Sequence, residues 1–270
     1  MKKIMFLVFV APIFFSCKDE KKYPITSAQI NAIEIPEVIK TMINAAKKDS
    51  TNIQLQMKLI ASLDSIGLHK QALINIDKLI TTDSLNNSFW LKRGQICKQL
   101  EDTPAAIQSF KYAARIYPTP IAMMELANLY AETKNIAALS ISDQLMKMNP
   151  GGNYNAQAYF FMGVYFSKIG NQKYALDNFN KSIAIDFHFV DAYIEKGYLF
   201  YSNKNYSDAL KTFQQLTAIN QTSADGYYWQ AKCYEAINNK NEAISLYEKA
   251  LLLNQNIQEA KDAIARLKGK

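Results

Sequence analysis

Small residues recur along this chain at one spacing. Gly94, Ala127, Gly163, Gly197 and Ala231 follow one another at steps of 33, 36, 34 and 34 residues. A second column, Ala72, Ala106, Ala138, Ala175, Ala209 and Ala243, closes on two steps of 34. Four residues after these alanines stand Ile76, Phe110, Phe179, Phe213 and Tyr247, with Ser142 breaking the column in the third unit. A separation of four places each alanine and its large neighbour on one face of a helix. Two antiparallel helices joined by a tight turn approach closely only where a side chain is small, and the large residues fill the space beside the contact. The pattern therefore predicts six helix pairs, at 53–86, 87–119, 120–153, 156–189, 190–223 and 224–257. None of them can bury its apolar face without its neighbour.

The flanks fit the same scheme. Residues 258–270 contain a helical stripe of Ala260, Ala263, Ile264 and Leu267 with polar residues elsewhere, as expected of a helix that covers an open end. Residues 27–52 are expected to form an N-terminal helix or a degenerate half-unit, preceded by a tether at 17–26. Turns inside the units carry Ile169-Gly170-Asn171, Asn203-Lys204-Asn205 and Asn238-Asn239-Lys240, and Gly and Asn tolerate the left-handed conformation at a helix end. The first unit has Ile60 where a small residue is expected. Asn149-Pro150-Gly151-Gly152-Asn153 interrupts the array and predicts a kink or a change of pitch. It lacks the spaced third Gly and the Lys-Ser/Thr of a phosphate-binding loop.

The clearest unit, 87–119, reads Trp90, Arg93-Gly94, Cys97, Ala106, Phe110, Ala113 and Pro118. It resembles the tetratricopeptide repeat, which carries Trp, Leu-Gly, Tyr, Ala, Phe, Ala and Pro at those spacings; Arg93 stands for Leu and Cys97 for Tyr. The resemblance extends over about four fifths of the chain. It implies an all-α fold, a right-handed superhelical solenoid of antiparallel helix pairs with about six repeats and a C-terminal capping helix. It also implies a concave face, lined by the first helix of each unit, that commonly holds a peptide or a partner's helix.

By register, the side chains on that face include Met57, Gln95, Asn128, Phe160, Val164, Ile194, Tyr198, Tyr201, Tyr228 and Trp229. The aromatic ones gather in the last three units, so the ligand groove is expected around Phe160, Tyr198, Tyr201, Tyr228 and Trp229. For Tyr198, Tyr201 and Tyr228, exposed groove contact and ordinary packing between helices are equal alternatives. Charges on the same face have both signs: Lys92, Lys98, Glu125, Glu132, Lys168, Asp191, Glu195 and Lys232. The Lys/Asn clamp by which some relatives hold acidic C-terminal tails is missing, since the first two units offer Met57 with Ala61 and Leu91 with Gln95.

Composition agrees with long helices and short connections, as 9 Gly and 7 Pro in 270 residues leave little for many tight turns or strands. With 49% hydrophobic and 20% charged residues the chain can bury a continuous core. At the N-terminus Lys2 and Lys3 precede an apolar stretch at 4–15, a secretory signal pattern. Its twelve residues rise about 18 Å as a helix, short of a hydrocarbon core of about 30 Å. Ser16-Cys17 resembles the bacterial lipobox, departing from it at Phe14, where Leu is usual, and at Phe15, where a smaller residue is usual. The resemblance implies cleavage of residues 1–16 and acylation of Cys17. Lys18-Asp19-Glu20 resembles the short tag that sends some lipoproteins to the outer face of the outer membrane. The expected location is therefore the cell envelope, with the protein lipid-anchored at the outer membrane.

Removing residues 1–16 takes away two lysines and no acid, so the formal charge falls from +7 to +5. An exported chain of that charge meets anionic lipid and polysaccharide first, and no nucleic-acid role is expected. Cys97 and Cys233 belong to units far apart and are expected to be small core residues rather than a disulfide. With only His69 and His188 there is no metal-ligand spacing. No Ser/His/Asp order or nucleotide loop is present either, so neither catalysis nor a cofactor is expected. The sequence thus points to an envelope scaffold that binds a protein or peptide in its groove. The alternative is a pilotin-like assembly helper for an outer-membrane complex.

Overall fold

The computed structural model describes residues 35–148 and 154–269, and every regular element among them is an α-helix. The leader at 1–16, Cys17, the tether at 17–26 and the insertion at 149–153 lie outside the described residues. Helix α1 (Glu37–Lys48) precedes six pairs: α2 (Ile53–Ser65) with α3 (His69–Thr82), α4 (Asn87–Gln99) with α5 (Thr103–Ile116), and α6 (Pro120–Glu132) with α7 (Ala137–Met148). Then follow α8 (Tyr154–Lys168) with α9 (Gln172–Ile185), α10 (Val190–Ser202) with α11 (Tyr206–Ile219), and α12 (Ala224–Ala236) with α13 (Lys240–Leu253). Helix α14 (Gln258–Leu267) comes last.

Each pair is locked by complementary volumes in the two columns. A Cβ built on Gly94, Gly163 or Gly197 would lie 2.6, 2.5 and 2.5 Å from the rings of Phe110, Phe179 and Phe213 respectively. All three rings are fully buried. The ring occupies the space of the missing side chain, so the glycine is dictated by the phenylalanine opposite. In the first unit Ile60 and Ile76, both fully buried, stand where four of the other units place a small residue and a ring.

The third unit departs from this for a visible reason. Ser142 is buried in the ring's place, and its hydroxyl finds no hydrogen-bond partner among the described residues. The core is filled there from the next unit: Ala158 and Phe161 of α8 pack with Met123, Ala127 and Leu145. Helix α8 is thereby drawn directly onto α6. Arg93, in the family's Leu position, bridges two second helices instead, with Nε donating to Asp77 Oδ1 and Nη1 to Ser109 Oγ, both at 2.8 Å.

Turns within the pairs share one device. Gly67, Glu101, Lys134, Gly170, Lys204 and Asn238 all have positive φ, between 57° and 81°, one per unit. The asparagines that follow serve differently from the left-handed role expected of them. Asn171, Asn205 and Asn239 are N-caps, their side chains accepting from the backbone N–H of Tyr174, Asp208 and Glu242. Only Gly170 and Asn238 of the three expected turns carry the left-handed residue as a Gly or Asn; in the third it is Lys204.

At the ends, Ile39 and Ala46 of α1 join the core of the first unit. Ala260 and Ala263 of α14 cover Ala231, Ala243 and Tyr247 of the last. Curvature follows from the contacts: the first helices α6 and α8, α8 and α10, and α10 and α12 pack on one another, whereas no two second helices do so comparably among the described residues. The first helices therefore line the inner, concave face.

Candidate functional site

Along the concave face, successive first helices are tied by ion pairs. Lys92 Nζ on α4 meets Asp64 Oδ2 on α2 at 2.7 Å, and Lys98 Nζ on α4 meets Glu125 Oε2 on α6 at 2.6 Å. Lys168 Nζ on α8 then meets Glu132 Oε2 on α6, again at 2.6 Å. His69 Nδ1 adds a contact of 2.7 Å to Asp64. Burial tends to raise the Asp64 carboxyl, but the hydrogen bonds and charges of Lys92 and His69 outweigh it and hold the group below its ordinary range. The hydrogen bond from Lys168 to Glu132 raises the Lys168 ammonium in turn.

Between α10 and α12 the ties become aromatic. Trp229 on α12 is the hub: its ring centroid lies 5.4 Å from Tyr198, 5.2 Å from Tyr201 and 5.5 Å from Tyr228, and it stacks on the buried Phe213 at 5.9 Å. Edge-on and stacked rings at such distances attract beyond their area alone. Tyr201 also meets Tyr206, and Tyr228 meets Tyr247. Four of the five expected groove residues thus form one ring cluster across α10 and α12. Phe160 is not part of it, for its ring contacts are Phe161, Phe179 and Phe189 and it packs against the core.

Exposure separates the four. Tyr198 keeps 49% of its surface in solvent, while Tyr201, Tyr228 and Trp229 are half-buried. Burial raises the phenols of Tyr201 and Tyr228. Val164, placed on the groove by register, is instead buried where α8 packs directly on α6. Tyr193 and Tyr227 are core residues, whereas Tyr159 is only half-buried, with the Lys181 ammonium 5.6 Å from its ring centroid.

Between α8, α10 and α12 the face opens into a cleft of about 670 Å³, walled by Ile194, Tyr198 and Trp229 and rimmed by Lys134, Lys168 and Glu195. Ser167, Gln172, Ser202 and Asn203 make the rest of its lining largely polar, and a cleft of that size accommodates a side chain or short segment of another molecule. Sequence register alone does not single out Asp64 or the unequal surroundings of Glu132 and Glu195. The recurring offset of opposite charges, 28 residues for Asp64 and Lys92 and 27 for Lys98 and Glu125, is the signal that points to the ion pairs.

Among the described residues no three His, Cys, Asp or Glu side chains gather in a way that could hold a metal ion. No described helix is long and apolar enough to cross a membrane. Cys97 and Cys233 are free and buried, and burial pushes the Cys233 thiol up to about 12.

Comparison with known proteins agrees with the fold. Residues 200–267 match the tetratricopeptide repeat family. The fold is similar to a tetratricopeptide repeat protein of Parabacteroides merdae, with TM-score 0.69 and 18% identity over 86% of this chain and 91% of that one. It is similar to PilW, a widely conserved type IV pilus biogenesis factor, with TM-score 0.63 and 20% identity over 85% and 99% of the two chains. A third likeness is a thermophilic tetratricopeptide repeat protein of Thermus thermophilus, with TM-score 0.55 and 17% identity over 68% and 100%. No curated protein matches the chain in sequence.

Proposed function

We propose that this chain, a tetratricopeptide-repeat protein, is an interaction scaffold that holds a segment of another protein in the C-terminal half of its concave groove. The observation that carries the reading is the cluster of Tyr198, Tyr201, Tyr228 and Trp229 beside an open cleft, with Tyr198 half in solvent. Aromatic anchors at the rim of a pocket gain most when a partner desolvates them. Tyr198 is the residue to change, because it is the exposed one of the four. Tyr198→Ala should weaken a partner by about 2 kcal/mol and leave helix content and melting temperature near those of the unaltered chain. Tyr228→Ala, which removes a ring packed on Tyr247, should lower stability as well. Recovery of an equal amount of the same partner by the Tyr198→Ala protein would remove this surface from consideration.

Residues 1–17 support a second element of the proposal, a lipid at Cys17 that keeps the scaffold in the cell envelope at the outer membrane. Two or more acyl chains give lasting attachment where one is marginal. Cys17→Ala should move the protein from the membrane to the soluble fraction, and failure of the unaltered protein to take up labelled palmitate would dispose of the lipid. The rival reading, an assembly helper for an outer-membrane complex, has beside it the fold-level likeness to PilW. Loss of one outer-membrane oligomer in a deletion strain favours the helper, and a stable co-purifying partner favours the scaffold.

A further inference from the structure

The ion pairs between successive helices of the concave face form a ladder that breaks after α8 and resumes only where Arg266 of α14 meets Glu235 of α12. Asp64 is matched by Lys92, Glu125 by Lys98, and Glu132 by Lys168, each pair joining two neighbouring first helices. Further along this face, the half-buried Glu195 of α10 has no hydrogen bond or ion pair among the described residues. Where the following helix would offer a cation, α12 presents Trp229, in ring contact with Tyr198.

The charges acting on Glu195 sharpen the imbalance. They are Glu132 and Lys168, which are already spent on one another, and Asp191 one turn earlier on α10. Three carboxylates thus face one ammonium. Lys134 also lines the cleft but is not among the groups that act on Glu195, and Lys232 is not among its walls. Burial, followed by the charge of Glu132, raises the Glu195 carboxyl above its ordinary range. The fold therefore maintains, at some cost to itself, a half-buried and unmatched carboxylate beside two aromatic rings.

Carboxylate and ring faces together are the chemistry that recognises an organic cation. We infer that the cleft receives an arginine or lysine side chain of the partner, its charge paired with Glu195 and its stem or guanidinium plane laid against Tyr198 and Trp229. This rests on the groove reading above and names the partner's chemistry: a segment with a basic residue as its central anchor. The missing rung is supplied in trans. An acidic tail is disfavoured, since it would bring a further negative charge to Glu195, Glu132 and Asp191.

The test uses a library of random twelve-residue peptides displayed on phage and panned on the full chain, with elution competed by the unaltered protein but not by the Tyr198→Ala variant. Enriched peptides should share an arginine or lysine. Replacing that residue by citrulline or glutamine, or making Glu195→Gln, should lower affinity by about tenfold, between what exposed and fully buried pairs give. Glu195→Gln should at the same time melt no lower than the unaltered chain at pH 7, because it removes a charge that the folded state disfavours. A variant that merely damaged the fold would lose both. Peptides that depend on Tyr198 but show no basic residue, or bind equally to Glu195→Gln, overturn this inference and leave the groove reading standing. If no peptide depends on Tyr198, both fall.

Discussion

Gly197→Ala probes the interlock that defines each unit. A Cβ at position 197 would lie 2.5 Å from Cζ and 2.6 Å from Cε1 of Phe213, about 1 Å inside ordinary carbon contact. The ring has little room to retreat, since it is fully buried and stacked on Trp229. Forcing an extra methyl group into a well-packed core costs about 1–3 kcal/mol. Opposing this is the gain of about 0.5–1 kcal/mol that Ala has over Gly inside a helix. With the ring pinned, the cost sits at the upper end of its range and the net effect is a loss of about 2 kcal/mol. Phe213→Leu, destabilising alone, should open the space that the methyl group needs. The double variant should then be more stable than the sum of the single effects by about 1 kcal/mol. Urea unfolding followed by far-ultraviolet circular dichroism, fitted with nearest-neighbour coupling between repeats, measures all four proteins. If Gly197→Ala is neutral or stabilising, as helix propensity alone demands, the volume argument is wrong.

Two further outcomes follow from the turns and the charge ladder. Lys204 holds φ at 62°, so Lys204→Gly should raise stability by about 0.5–1 kcal/mol in the same urea assay. Asp64→Asn should cost about 1–3 kcal/mol at pH 7 by leaving Lys92 without its charged acceptor. Because the Asp64 carboxyl is held below its unfolded value near 3.8, its contribution is complete above that value and fades as pH falls through the lowered one. Midpoints of the unaltered and Asp64→Asn proteins should therefore converge in acid.

Much of the fold was legible because its causes are periodic. A glycine opposite a phenylalanine, an alanine four residues before a ring and a polar cap after most turns repeat at a spacing that survives individual departures such as Leu68, Arg93 and Cys97. The concave face was harder to read. Register places Val164 beside Gln95 and Tyr198, yet it is buried, since α8 packs directly on α6 and no local pattern around Val164 encodes that approach. The same holds for Phe160, which register groups with Tyr228 but which packs inward on Phe179 and Phe189. Glu132 and Glu195 read alike as exposed acids in the sequence. Only the arrangement of helices reveals that one has a lysine within 2.6 Å and the other has none.

The central claim is that a partner lies in the concave cleft of α8, α10 and α12, and site-specific photocrosslinking in living cells tests it most directly. Placing p-benzoylphenylalanine at position 198 puts a reactive ketone at the exposed ring of the cluster, and placing it at position 117, also solvent-exposed, provides a control at the end of a second helix. The account predicts one discrete adduct from position 198, lost when Trp229 is also changed to Ala, and none from position 117. No adduct at 198, or the same adducts from both positions, would contradict it.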